Sequence, residues 1–344
     1  MDPAKWFPKL KYSTPLRTAA RCVIAPRIRV VEHYAKLVTT RPGEDSEHVH
    51  QLRVATRRLA AAISVFKSCL EVRACNELRL ATRRLRRAAG RVRDLDVLIA
   101  MLESRIELQS GTESTAAIHC RQFLGESRRR ANASLLQAIP RWLLRFRRVS
   151  RRILNSLGPI SRRANGDIET LGSTSQTVLR KRHKKLIAAW RSNLGQPENL
   201  HQLRIAAKRL RYAMEIFATC FSKRQYQSLY DQVESIQTDL GEVNDLRNLI
   251  ATLLGLCRQS TARICRDQNA GESALMNELR IAVEHELHNR ITLFLDRWPS
   301  DRRHELRRRF KQILKRPVTQ ELTRPRQKMV TGKKTATDRW PRKL

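Results

Sequence analysis

Two stretches of this sequence carry the same side chains at the same intervals. Residues 50 to 66 read HQLRVATRRLAAAISVF and residues 201 to 217 read HQLRIAAKRLRYAMEIF, with nine of the seventeen positions identical at a constant offset of 151. In each, a histidine is followed three residues later by an arginine and four residues after that by another cation. The first set is His50, Arg53 and Arg57; the second is His201, Arg204 and Lys208, with Arg211 at its flank. Spacings of three and four gather each set on one face of a helix. Arginine presents a planar fork of donors that matches phosphate oxygens, lysine a compact charge, and histidine a donor whose charge changes near neutral pH. The chemistry open to such a stripe is the holding of an anion.

Other chemistries fit less well. His48 and His50 make a His-x-His pair, but Asn199 stands at the counterpart of His48, and arginine neighbours would repel a metal cation. A phosphohydrolase with a histidine nucleophile would need a second acid/base constellation, and none is visible. Asp94, Asp96 and Asp245 sit among arginines, where a carboxylate is expected to orient a guanidinium through a salt bridge. The residues therefore predict no catalytic group, no metal and no cofactor.

The histidine stretches need amphipathic helices to position them. At roughly 100° per residue, Leu52, Ala55, Leu59, Ala62, Ile63 and Phe66 form one side of the first helix, opposite its cations. In the second, Leu203, Ala206, Leu210, Ala213, Met214 and Phe217 are apolar. Arg58 and Arg209 fall beside the stripes rather than within them. A second block repeats at the same offset: Gly90, Val92, Asp94 and Leu95 match Gly241, Val243, Asp245 and Leu246, so the chain is a duplication.

Before that block in the first copy, Arg79, Arg83, Arg86 and Arg93 share a helical face with Gly90, which lets a ligand or a neighbouring helix come close. The second copy has Tyr230, Glu234, Gln237 and Asn244 in their places, so the basic surface is expected to be lopsided. The run RKRHKK, 180 to 185, makes up part of the deficit with Lys181, Lys184 and Lys185 turned away from Leu179, Leu186 and Trp190.

Composition sets the wider frame. The chain has 344 residues, 41% of them apolar, and 69 Lys plus Arg against 32 Asp plus Glu, a net charge of +37. Such an excess calls for a polyanion: nucleic acid, inorganic polyphosphate or a membrane surface. With 12 Gly, 12 Pro and 5% aromatics the composition is that of an all-α protein. Helices are expected near 16–40, 46–70, 73–108 and 112–156, the last broken near Pro140, and again near 174–194, 197–220, 222–257 and 271–297, with a short helix at 300–315. This gives one domain over 10–316, built from four-helix repeats at 10–158 and 172–316, and a basic tail at 317–344 expected to be disordered. No apolar run reaches the roughly 18 residues of a membrane span, and the first residues lack the apolar core of a signal peptide. Seven scattered cysteines, none in a CxxC pair, are expected to be reduced thiols in a cytoplasmic protein.

The doubled HxLRxAxRRL-type motif, each copy followed by Gly, Val and an RD or ND pair, resembles the CHAD family, the conserved histidine α-helical domain. The resemblance covers about residues 10 to 316. It implies two pseudo-symmetric four-helix bundles with a basic central cleft or pore, and a non-catalytic protein that binds inorganic polyphosphate, with association with polyphosphate granules in view. Some members are fused to triphosphate tunnel metalloenzyme domains, and no such β-barrel fits here. Position by position it assigns ligand contact to His50, Arg53, Arg57, His201, Arg204, Lys208 and Arg211. Arg79, Arg83, Arg86, Arg93, Lys181 and Lys184 form a secondary basic set. Ala60 occupies the place of Arg211 in the first copy, so the second histidine helix is expected to grip harder. Nucleic acid is the competing partner, but the basic faces carry almost no aromatic rings for base stacking.

Overall fold

The computed structural model describes residues 5–40, 46–108, 115–158, 169–264 and 270–315. The basic tail therefore lies outside the described residues, and so do residues 159–168 between the two repeats. Within the described residues the chain is all-α: α1 (Leu16–Thr40), α2 (Ser46–Val65), α3 (Val72–Leu108), α4 (Thr115–Ser156), α5 (Leu171–Trp190), α6 (Pro197–Phe217), α7 (Lys223–Ile264), α8 (Ala270–Arg297) and α9 (Ser300–Lys315). Short 3₁₀ turns, Lys67–Cys69 and Ala218–Cys220, follow α2 and α6 at matching places.

Helix α4 continues through Pro140 instead of breaking there. Leu135, Ile139, Phe146 and Val149 hold its inner face in the core, while Pro140 lies on the exposed side, where water can satisfy the carbonyl that loses its donor. Helix α5 starts three residues earlier than expected. Thr170 and Ser173 close a capping box at its first turn.

Each half packs α1 on α2, α2 on α3 and α3 on α4, or their equivalents α5 on α6, α6 on α7 and α7 on α8. Between halves every helix meets its own counterpart: α1 with α5, α2 with α6, α3 with α7 and α4 with α8. Only a pseudo-twofold axis produces that pattern, and α2 and α6 cross at it. The N-termini of α1 and α5 mark the axis too. The amide of Leu16 donates to the Glu169 carbonyl and the amide of Leu171 to the Thr14 carbonyl, each at 2.8 Å. A side chain at Gly172 would collide with the ring of Tyr12, 2.3 Å from an added Cβ, so this crossing requires glycine.

Leu52, Leu59 and Ile63 of α2, with Phe66 just after it, and Leu203, Leu210, Met214 and Phe217 of α6 are fully buried in the main core. A smaller core of Leu98, Leu102, Leu124, Leu246, Leu249, Leu253 and Val283 joins the far ends of α3, α4, α7 and α8. Burial of these apolar faces leaves the cationic faces of α2 and α6 turned toward each other.

Candidate functional site

At the crossing of α2 and α6, Arg53 and Arg57 come within electrostatic reach of Arg204 and Lys208. Lys208 shows the result most plainly. Burial, then Arg57, Arg204, Arg53 and Arg211, push its ammonium down to about 6 from the ordinary 10.5. No carboxylate among the described residues pairs with it. Burial and Arg53 push Arg57 down to about 10, although it hydrogen-bonds Tyr212. Four basic side chains thus share one crossing, and two of them, Arg57 and Lys208, have no carboxylate partner among the described residues.

Arg53 donates to Asp94 at 2.6 Å, and Arg204 donates to Asn244 at 3.1 Å beside Asp245. Arg128 likewise pairs with Asp96 at 2.9 Å. These carboxylates orient guanidinium groups, as their setting among arginines suggested. Among the described residues, no group of three or more His, Cys, Asp or Glu gathers as metal ligands.

The crossing opens on the first-half side into a pocket of about 460 Å³ lined by Arg53, Arg57, Arg86, Arg87, Gly90, Arg91 and Asp94. A Cβ added at Gly90 would meet only Arg53 Nε, at 3.9 Å, an ordinary contact. No neighbouring backbone presses on this glycine, and it lines the pocket. His50 stands half-buried at the edge, where burial and then Arg93 hold its imidazole below the ordinary 6.5. His201, its counterpart, is exposed. The two histidines therefore have unlike surroundings, partly because Asn244 replaces Arg93.

Arg211 departs from expectation. It is 8% exposed, and its guanidinium donates to Gln237 at 2.8 Å, the Tyr230 hydroxyl at 2.7 Å and Glu234 at 2.9 Å. Those three residues are the ones that replace Arg86, Arg79 and Arg83. The second half has thus exchanged a cationic face on α7 for acceptors that bind a cation on α6. Arg211 is a partner of its own fold, so it does not give α6 the stronger grip on a ligand that its charge suggested.

Beneath it lies a buried ion network that the sequence reading did not foresee. Glu215, fully buried, accepts from Arg58 Nε at 2.9 Å and from Tyr230 at 3.2 Å, and lies 3.7 Å from Arg27 and 3.4 Å from Arg211. A buried Asp or Glu flanked only by apolar residues in a basic chain is the signal that finds such a centre.

The secondary set divides. Arg86 lines the pocket and Arg93 acts on His50; Arg83 lies beside Arg86 but is exposed. Arg79, Lys181 and Lys184 are exposed and do not line the pocket. Sequence phasing missed Arg87 and Arg91, which lie one position beyond the chosen face of α3. It also missed Tyr212, buried against Arg57 and under Arg211, whose guanidinium carbon is 4.8 Å from the ring centroid. His183, in the middle of RKRHKK, is a core residue: it stacks on Phe310 at 4.7 Å, and burial pushes it down to about 4.

The CHAD domain model matches residues 23–254, about two thirds of the chain. The chain belongs to the CHAD family. Its two histidine helices are α2 and α6, and the match spans both. The fold is similar to the CHAD domain from the plant Ricinus communis, with a TM-score of 0.61, 21% identity and coverage of 90% of this chain and 96% of that one. It is equally similar to PptA from Streptomyces chartreusis, with a TM-score of 0.61, 17% identity and coverage of 83% and 99%. At these identities the likeness is one of fold. No curated protein matches the sequence.

Proposed function

We propose that this CHAD protein binds inorganic polyphosphate without catalysing its turnover, through the cation stripe at the α2/α6 crossing and the arginine pocket that continues it. The observation that carries the reading is the pairing of Arg57 with Lys208: two basic groups from equivalent helices, half-buried side by side with no carboxylate among the described residues to pair with them. Charging both groups at so crowded and partly buried a place is unfavourable unless an anion joins them. A flexible chain of phosphates, with about one charge per unit and no bases, needs a track of cations and nothing else. The lining residues of the pocket include no aromatic ring on which a base could stack.

The family resemblance supplies polyphosphate as the anion, and a role at polyphosphate granules follows from the same reading. Among the described residues no helix is long and apolar enough to cross a membrane. Binding is expected to weaken steeply with salt, because condensed counterions are released from the polyanion. A competition titration tests the assignment. Labelled long-chain polyphosphate is expected to stay bound when unlabelled DNA or RNA is added at equal phosphate concentration. Displacement at comparable concentration would assign the stripe to nucleic acid instead.

A further inference from the structure

The pseudo-twofold relation sets two matched pairs of arginines in unlike surroundings. For α1 and α5 the equivalence runs at an offset of 155: Pro15 bridges Thr170, and the Leu16 and Leu171 amide bonds exchange at that spacing. The buried positions of α5 follow it as well, Leu171, Thr174, Ser175, Leu179, His183, Leu186 and Trp190 falling on buried positions 16, 19, 20, 24, 28, 31 and 35 of α1. Arg27 is therefore the mate of Arg182. At the offset of 151 that relates α2 to α6, Arg58 is the mate of Arg209 and Ser64 the mate of Glu215.

On one side of the axis, Arg27 and Arg58 converge on the Glu215 carboxylate. On the other, the mate of Arg27 reaches a hydroxyl and the mate of Arg58 stands beside that mate. Arg182 donates to Ser64 Oγ at 2.8 Å, and Arg209 stands close enough for its charge, after burial, to lower the pKa of Arg182. Arg182, Lys185, Arg209 and Gln202 line a pocket of about 210 Å³, which Ser64 meets through its bond to Arg182. No carboxylate among the described residues pairs with Arg182, Lys185 or Arg209. The volume is about seven times that of a water molecule in the liquid, ample for one tetrahedral oxyanion.

We propose that Arg182, Lys185, Arg209 and Ser64 bind a single phosphate-type oxyanion, either free orthophosphate or one phosphoryl unit of a longer chain, in the position that Glu215 occupies across the pseudo-twofold. The oxyanion takes the place of the missing carboxylate: two guanidinium groups and an ammonium surround it, and Ser64 offers a further donor. The site lies on the α5 side of α6 and uses none of the stripe residues, so it stands apart from the polyphosphate reading.

Hydrogen exchange of the full-length protein tests it, with orthophosphate and long-chain polyphosphate as separate probes. Orthophosphate is expected to slow amide exchange over residues 180–190 about twofold or more once its concentration exceeds the dissociation constant. Ser64→Glu supplies the carboxylate internally, and Ser64 is exposed, so that variant is expected to show slow exchange already and no further response. Arg209→Ala, also at an exposed position, is expected to lose the response without gaining the protection. Arg57→Ala/Lys208→Ala, which disables the stripe, is expected to keep it. Protection by orthophosphate alone assigns the free ion, and protection by both probes assigns the phosphoryl group in either form. A wild-type response that persists in Ser64→Glu, or that vanishes with the stripe, overturns the proposal.

Discussion

Arg57 and Arg58 are neighbours in the chain, yet they face opposite electrostatic surroundings. Arg58 points into the ring around Glu215, where a buried carboxylate compensates Arg27, Arg58 and Arg211. Arg57 points into the crossing, where Lys208 and two further arginines meet it and only a tyrosine hydroxyl answers. The helix turns about 100° between them. One side of α2 uses arginine to hold the two halves together, and the other leaves arginine uncompensated at the same seam. What separates structure from site in this molecule is the reach of a carboxylate, since positive charge is plentiful on both sides.

The comparison breaks most visibly at Glu215. Glu215→Ala leaves buried guanidinium groups without their anion and is expected to lower the stability of the fold by about 3–5 kcal/mol. Urea or thermal unfolding measures it, and Arg57→Ala/Lys208→Ala is expected to show no such loss. The converse change concerns binding. Each direct contact to a charged group contributes about 1.5–3 kcal/mol, so the Arg57→Ala/Lys208→Ala variant is expected to bind polyphosphate about 100-fold more weakly or worse. Fluorescence titration at fixed salt checks this, with circular dichroism showing the fold intact.

A smaller effect sharpens the same contrast. Because the ammonium of Lys208 is held near 6 in the folded protein and returns to about 10.5 when the chain unfolds, the unfolded state binds more protons between those values. Stability of the ligand-free protein is therefore expected to rise with pH from about 6 upward. Lys208→Met is expected to raise the melting temperature at neutral pH and to flatten that rise, while weakening polyphosphate binding. A stabilising substitution that costs affinity is the mark of a functional charge.

The smallest effect separates the two halves. Gly90→Ala and Gly241→Ala each replace a glycine inside a helix without a clash, and each is expected to stabilise by about 0.5–1 kcal/mol. Only Gly90 borders the arginine pocket, so only Gly90→Ala is expected to weaken binding, by a few-fold.

The helices, the duplication and the stripe of His50, Arg53, Arg57, Arg204 and Lys208 were legible because apolar periodicity and a constant offset are properties of the sequence itself. What partners a charge was not, since that depends on contacts between distant segments. Arg211 looked like one more ligand until Tyr230, Glu234 and Gln237 were seen to surround it, although each had been noted as a departure from arginine. His50 and His201 looked equivalent until one proved half-buried beside Arg93 and the other exposed. The four-residue difference between the offsets of α1/α5 and α2/α6 hid the match of Arg27 with Arg182, because α1, at 25 residues, runs about one turn longer than α5, at 20.

The central claim is that the crossing holds Lys208 uncharged, and Arg57 without an anion, until a polyanion arrives. Binding must then draw a proton onto Lys208, because nearby phosphates raise its pKa from about 6, and onto His50 for the same reason. Affinity is expected to fall as pH rises above about 6. Calorimetry of polyphosphate binding at pH 7.5, in two buffers of different ionisation enthalpy, counts those protons. Net proton uptake in the wild type, reduced in Lys208→Met together with the affinity, is the result expected here. Equal affinity and equal proton counts in both proteins would contradict the account.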